Sequence, residues 1–214
     1  MTAIALRVEA PLVSFRNPHA REYAETYRVP PPSTVYGMLL SMVGEERRAR
    51  HLGARLALAV LGDPTVSTVL RTVWRVKNLA LDPGVGENRR MDFQEILTDV
   101  RIAVWLDSSD EPAANGEPLV ARVARALHEP QAITRYGGLS LGESRDLVDS
   151  ISPLRPRAGE EGLWLLPDPA GNLTLPIWPD HVAGAATRWA RFRPQRAPVT
   201  EAASPEAFVR IAAD

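Results

Sequence analysis

The apolar and polar positions of this chain change period several times, and each change marks an element. Ile4-Ala5-Leu6-Arg7-Val8-Glu9-Ala10 alternates imperfectly and stops at Pro11, the pattern of a first β-strand. A loop containing Ser14, Phe15, Arg16, Pro18, His19 and Arg21 follows. Three consecutive prolines, Pro30-Pro31-Pro32, then hold the chain extended ahead of Ser33, which can act as a helix N-cap. Val35, Met38, Leu39, Met42 and Val43 fall at i, i+3, i+4, i+7 and i+8, which predicts a helix with one apolar face, and Gly44 supplies its stop. The continuous apolar run at 56–61 reads as a buried strand closed by a turn at Gly62-Asp63-Pro64.

Further along, Leu70, Thr72, Trp74 and Val76 take one face of a period-two stretch, with Val69, Arg71, Val73, Arg75 and Lys77 on the other. Residues 78–93, with Asp82-Pro83-Gly84-Val85-Gly86 and Arg89-Arg90, read as a hairpin tip. Thr98, Val100, Ile102, Val104 and Leu106 alternate with Asp99, Arg101, Ala103 and Trp105 in the returning strand. A second helix is predicted from Pro118 in its first position, carried by Leu119, Val123 and Leu127 and ended by Pro130. The order strand, helix, strand, strand, helix, strand predicts an α+β fold: a ferredoxin-like or RNA-recognition-motif-like domain over 1–152 with an extended hairpin at about 69–100.

Beyond Pro153 the prolines at 153, 156, 167, 169, 176 and 179 cut the chain into short pieces. Residues 162–166 and 173–178, joined by 167–172, read as a hairpin within a small C-terminal β segment at 153–214. The tail from Pro198 is expected to pack poorly. Arg188, Arg191, Arg193 and Arg196 around Trp189 and Phe192 form a basic–aromatic cluster with no acidic residue inside it.

The densest candidate chemistry lies at Arg135-Tyr136-Gly137-Gly138-Leu139-Ser140-Leu141-Gly142-Glu143-Ser144-Arg145. Glycines let the backbone approach a ligand or adopt positive φ, successive N–H groups can form an anion-binding concavity, and Arg135 and Arg145 can pair a phosphate. The same run spells G-x-S-x-G around Ser140, the pattern of a hydrolase nucleophile elbow, and Asp168 and His181 follow in hydrolase order. That reading lacks its context, because residues 131–136 are too polar for a buried strand and residues 143–151 too short for a helix. A plain structural turn is the third reading.

Composition narrows the classes. With no cysteine, disulfides, thiolate metal sites and a catalytic thiol are excluded, and the four histidines have no metal-ligand spacing, so neither a metal nor a cofactor is expected. No apolar run reaches the roughly 18 residues of a membrane span, and the N-terminal residues lack a signal-peptide layout, so a cytoplasmic protein without membrane partners is expected. A net charge of -1 argues against a strong global field for nucleic acid but leaves room for a local groove. Such a feature exists between Thr65 and Arg90, where five basic side chains face two acidic ones, a local charge of +3. Lys77 is the only lysine, and the other 24 basic residues are arginines, suited to bidentate phosphate contacts and stacking.

Phe15-Arg16, then Thr26-Tyr27-Arg28-Val29-Pro30-Pro31-Pro32-Ser33-Thr34-Val35-Tyr36-Gly37, then Tyr136-Gly137-Gly138-Leu139-Ser140-Leu141-Gly142-Glu143-Ser144 resemble the Cas-five family of CRISPR-associated proteins over the N-terminal two-thirds of the chain. The resemblance implies a RAMP-type RNA-recognition fold with a thumb-like hairpin. It also implies a role in antiviral defence, as the subunit that holds the five-prime handle of the guide RNA (crRNA) in a type I Cascade effector. Contacts with the backbone and large subunits follow, and with target DNA through the complex. On this reading Arg71, Arg75, Lys77, Arg89 and Arg90 belong to the thumb. The remaining RNA-binding candidates are Phe15, Arg16, Arg21, Tyr27, Ser33, Thr34, Tyr36, Arg135, Tyr136, Gly137, Gly138, Ser140, Gly142, Ser144 and Arg145.

One branch of that family cuts precursor guide RNA by metal-free acid–base chemistry, with a tyrosine and a lysine–histidine pair. Tyr27 and Tyr36 are here, but the only lysine is followed by Asn78. A non-catalytic binder is therefore expected, with a metal-independent endoribonuclease as the alternative.

Overall fold

Strand β4 (Arg89–Asp107) is the spine of the molecule, and the computed structural model describes residues 3–20, 23–182 and 185–213 around it. Strand β1 (Ala3–Val13) pairs with β4 on one side, from Ala3↔Asp107 to Val13↔Leu97. Strand β2 (Arg55–Leu61) pairs on the other, from Arg55↔Asp107 to Leu61↔Arg101. Residues 102–107 are thus central in the sheet, which is why apolar side chains occupy both phases there and all are buried. Strand β5 (Ser150–Pro153) adds to the outer edge of β1.

Strand β3 (Thr65–Trp74) continues along the same edge of β4 that β2 occupies, from Thr65↔Thr98 to Trp74↔Arg89. Gly62-Asp63-Pro64 is therefore not the closing turn its composition suggests. Between Leu61↔Arg101 and Thr65↔Thr98, three residues oppose two, and the ladder bulges with Gly62 at φ +73° and Asp99 at φ +56°. Opposite Asp99 on the far side lies Pro11, which cannot donate to a ladder, so β1 runs through it to Val13 instead of ending there. Residues 89–93, read from the sequence as loop, belong to β4, and the connecting tip is 75–88. On this two-stranded hairpin, Leu70↔Phe93 and Thr72↔Met91 share one face, while Arg71↔Asp92 and Val73↔Arg90 share the other.

Helices α1 (Pro32–Met42) and α2 (Leu119–His128) cover one face of the sheet. Their buried residues, Val35, Met38, Leu39, Leu119, Val120 and Val123 among them, join Leu6, Leu56, Ile102 and Leu106 in the main core. Ser33 does not cap α1: the cap position is Pro31, and no side chain bonds the first turn. Pro118 likewise precedes α2 as its cap residue instead of standing first inside it, and the Glu111 carboxylate accepts the Leu119 N–H at 3.2 Å.

The C-terminal segment extends the same sheet. Strands β6 (Glu161–Pro167), β7 (Leu173–Trp178) and β8 (Arg188–Pro198) assemble in the order β6-β8-β7, with β6 paired to β2. The expected β6–β7 hairpin does not form, because β8 lies between them and puts Phe192, 1% exposed, into the core. The tail is not loose either. Val199, Ala207, Val209 and Ile211 are buried, and strand β9 (Val209–Arg210) pairs with β2. Val209 and Ile211 join the main core, whereas Val199 and Ala207 seal the second face of the sheet, where Trp105 and Trp164 stack at 4.3 Å between centroids and 17° between planes. Ala57, Ala59 and Ala103 make room for the two indoles.

Candidate nucleic-acid interface

The loop after β1 is clipped to the strand-like segment before the prolines. Phe15 N–H donates to Thr26 Oγ1 at 2.8 Å, Tyr27 N–H donates to the Phe15 carbonyl at 2.8 Å, and Arg16 forms a β-bridge with Thr26. In that extended geometry successive side chains point to opposite sides. Phe15 goes inward, 2% exposed, and Arg16 goes outward with no carboxylate partner among the described residues. Phe15 is therefore a core residue with no ring face for a base, which corrects its place among the RNA-binding candidates. Arg21 lies outside the described residues.

The glycine run folds around one carboxylate. Asp146 Oδ2 accepts the Ser14 N–H at 2.8 Å and the Glu143 N–H at 2.9 Å, while Leu141 N–H donates to the Asp146 carbonyl at 2.9 Å. The concavity of N–H groups expected to cradle an external anion is thus partly filled by the protein's own Asp146. Burial, stronger than the hydrogen bonds that oppose it, raises the pKa of that carboxyl group. Leu141 anchors the run in the core, and Gly142 at φ +115° lets it pass the end of β1. Ser140 bridges to Leu147 across the loop, and among the described residues the pairings between named strands are antiparallel, the one parallel bridge being the isolated Ala24↔Gln94. A nucleophile elbow needs a parallel strand before the serine and a helix after it, so the hydrolase reading of Ser140 fails on its surroundings.

The start of α1 also differs from expectation. Pro31 and Pro32 carry no N–H, and the Thr34 and Val35 N–H groups donate to the Pro31 carbonyl at 2.9 and 3.2 Å. The prolines that hold the segment extended also remove most of the free donors, leaving the hydroxyls of Ser33 and Thr34 as its polar surface.

Two adjoining cavities, of about 480 and 490 Å³, run past this helix start and share Ser33, Thr34, Gly142 and Pro179. The first is bounded by Tyr36, Arg135, Tyr136 and Ser140, the second by Arg16. A third, of about 320 Å³, continues from Arg16 and Glu143 to Arg71, in the outer half of the hairpin's ladder. The fold thus draws the three sequence blocks into one groove. Arg135 is exposed and Tyr136 is 86% exposed, while Gly137, Gly138 and Ser144 lie on the accessible surface of the same loop.

Other candidates stand apart. Arg75, Lys77, Arg89 and Arg90 lie at the far end of the hairpin, where Lys77 Nζ is 3.5 Å from Glu87 and Arg90 is 3.8 Å from Asp92. Arg71 and Arg145 both bond Gln94 Oε1 and both face Glu143 Oε2, at 3.6 and 2.9 Å, so these two cations are already engaged. Tyr36 is 2% exposed, its hydroxyl donates to the Arg48 carbonyl at 2.7 Å, and burial pushes its pKa up. Burial also raises that of the half-buried Tyr27.

The sequence missed the wall of the groove made by the C-terminal segment. Arg48 sits 4.3 Å over the Trp178 ring and donates to the Pro179 carbonyl at 3.0 Å, which holds 178–179 beside α1. Trp189, part of the basic–aromatic cluster, lines the second cavity with His19. Among the described residues there is no His/Asp/Glu group arranged to hold a metal ion, and no helix long and apolar enough to cross a membrane.

The architecture defines a class: an α+β protein with a long antiparallel sheet. It is shared at TM-score 0.63 and 17% identity with a chain from a solved CRISPR RNA-guided surveillance complex, covering 95% of this chain and 94% of that one. A second solved structure, described as a Cas protein, aligns at TM-score 0.54 and 18% identity, covering 92% and 95%. The family model described as CRISPR-associated protein (Cas_Cas5) matches residues 3–163. A CRISPR-associated protein Cas5 from Myxococcus xanthus (strain DK1622) is 48% identical over 189 residues, 87% of either chain. The chain belongs to the Cas5 family of CRISPR-associated proteins.

Proposed function

We propose that this protein is the non-catalytic RNA-binding subunit of a type I CRISPR Cascade effector. It grips the five-prime handle of the crRNA and contacts the backbone and large subunits, reaching target DNA only through the complex. In this reading the strand order β5-β1-β4-β2 with α1 and α2 is the ferredoxin-like, RRM-like body. The β3–β4 hairpin is the thumb, and residues 153–214 brace the RNA-binding part at 1–152. The observation that carries it is the convergence of Arg16, Ser33, Thr34, Arg135, Tyr136, Ser140 and Gly142 on one groove. These residues come from three distant blocks and combine exposed arginines, hydroxyls and an aromatic ring, the groups that hold unpaired RNA by phosphate contacts and stacking.

The tyrosines weigh against cleavage. A base for the 2′-hydroxyl must be deprotonated near neutral pH, whereas burial raises the pKa of both Tyr27 and Tyr36, and the Tyr36 hydroxyl is already donating to a carbonyl.

Co-expression with the other complex subunits and a handle-bearing RNA tests the assignment. Arg16→Ala, and Arg135→Ala together with Arg145→Ala, are expected to weaken assembly while the far-ultraviolet circular dichroism stays unchanged. Normal assembly of both variants would overturn the site. Incubation of the purified protein with repeat RNA in EDTA tests the catalytic alternative: site-specific cleavage lost in Tyr27→Phe or Tyr36→Phe would replace the binder with a nuclease.

A further inference from the structure

We propose that the cavity between the loop after β1 and strand β8 is a slot for one unpaired nucleobase, with Trp189 and His19 as its stacking face and Arg16 as the clamp on the adjoining phosphate. The proposal rests on the RNA-binding reading above and names a subsite within it.

Trp189 is half-buried on β8, fixed opposite Pro176 in the ladder, and the exposed His19 ring lies on it at 5.1 Å between centroids and 32° between planes. Both residues line the cavity, and a base added to this pair would extend the stack within the usual spacing of aromatic contacts. Pro31, Pro176 and Pro179 give the slot apolar sides suited to the flat face of a base, while Ser33, Thr34, Thr187, Glu143 and Asp180 put polar groups along its lining for the base edge. At about 490 Å³ the cavity falls in the range of small-ligand clefts. The exposed Arg16 stands on its rim, with no carboxylate partner among the described residues.

The electrostatics of β8 point the same way. Residues 188–197 contain four arginines and no acidic residue; Arg193 lies 3.4 Å from Asp168 and Arg196 pairs with Asp63, so the charge that draws a polyanion to this strand comes from Arg188 and Arg191. The basic–aromatic cluster is then the second wall of the RNA groove, which gives the C-terminal segment a direct part in binding.

The test is fluorescence anisotropy of a fluorescein-labelled single-stranded RNA carrying the repeat-derived handle, titrated with the full-length protein and, in parallel, with the co-expressed complex. Trp189→Ala and His19→Ala are each expected to weaken binding about 5- to 50-fold, the range for loss of one stacked base, and Trp189→Phe to retain most of the affinity. A scan of single abasic sites along the handle should find one position whose removal costs wild type a similar factor and costs Trp189→Ala nothing further. Because Trp189 is half-buried, a thermal melt accompanies its variants, while His19, exposed on a loop, carries the test independently of folding. If RNA binds and Arg135→Ala weakens it, but Trp189→Ala and His19→Ala leave affinity and the abasic profile unchanged, the slot is wrong and the groove stands. If neither the chain nor the complex binds the RNA, the function and the slot fall together.

Discussion

Gly142 packs against the main chain of Ser14 so closely that a Cβ on it would sit 2.8 Å from the Ser14 carbonyl oxygen, and its φ of +115° is one that side-chain-bearing residues resist. This contact joins the glycine run to the end of β1. Gly142→Ala is expected to lose about 2 kcal/mol of stability in urea unfolding, combining strain and displacement of backbone. Gly138→Ala would press only on the end of the Leu147 side chain, and should cost well under half as much. Equal midpoints for Gly142→Ala and wild type would mean the run is not held in this geometry.

Asp146 offers a sharper test, because both N–H donors reach the same carboxylate oxygen. An asparagine with its carbonyl oxygen in that position keeps both bonds and avoids burying a charge. Asp146→Asn is expected to match or exceed wild-type stability at neutral pH, whereas Asp146→Ala leaves the two N–H groups without their acceptor and should lose about 2 kcal/mol. The sign of the pH effect follows from the raised pKa: the contribution of this carboxyl is fully present below its unfolded value and declines as pH rises through the folded one. Asp146→Asn should remove that decline from a plot of unfolding free energy against pH.

Glu45 titrates in the opposite sense. Burial alone would raise it, but hydrogen bonds from Arg122, the Arg47 N–H and Arg50 prevail and hold it at about 2, against an ordinary 4.5. Arg122 in turn bonds His51 Nε2 at 2.9 Å and the Val43 carbonyl at 3.0 Å, so one carboxylate anchors a buried network between α1 and α2. A depressed pKa contributes stability above pH 4.5 and loses it as pH falls towards 2. Glu45→Gln is expected to cost about 3 kcal/mol at pH 7, the loss typical of breaking a buried pair. It should also flatten the acid limb of the stability curve; an unchanged acid limb would remove Glu45 from this role.

What was legible in the sequence was whatever one element decides by itself. The spacing of Val35, Met38, Leu39 and Met42 fixes the buried face of α1, and the alternation of Ile102 and Val104 with Ala103 and Trp105 marks the returning strand, whose burial on both sides only its neighbours in the sheet decide. Illegible features depended on a neighbour. Phe192 reads as part of a basic surface until β8 is inserted between β6 and β7, after which its side chain lies in the core. The glycine run reads as an open nest because nothing local says that the Asp146 carboxylate turns back to meet the N–H of Glu143 and of Ser14, 132 positions away in the chain. Likewise, the arginines of the groove were visible, but their partners were not: Arg71 and Arg145 meet over Gln94 and Glu143 only because the hairpin and the glycine run pack together.

That last meeting makes a prediction about RNA. Glu143 faces Arg71 at 3.6 Å and Arg145 at 2.9 Å, and all three side chains are partly open to solvent. A phosphate arriving where the hairpin meets the glycine run must compete with this carboxylate for both guanidiniums. Surface pairs of this kind add little to folding, so Glu143→Gln should melt within a few degrees of wild type. It should also bind handle-bearing RNA about 3- to 10-fold more tightly at low salt, and the slope of log affinity against log salt should steepen by up to about one, because more cation becomes available to displace counterions. The gain should shrink as salt rises. Weaker binding by Glu143→Gln would instead mean that the carboxylate positions the two arginines for the phosphate, and that their pairing is part of the site and not a competitor for it.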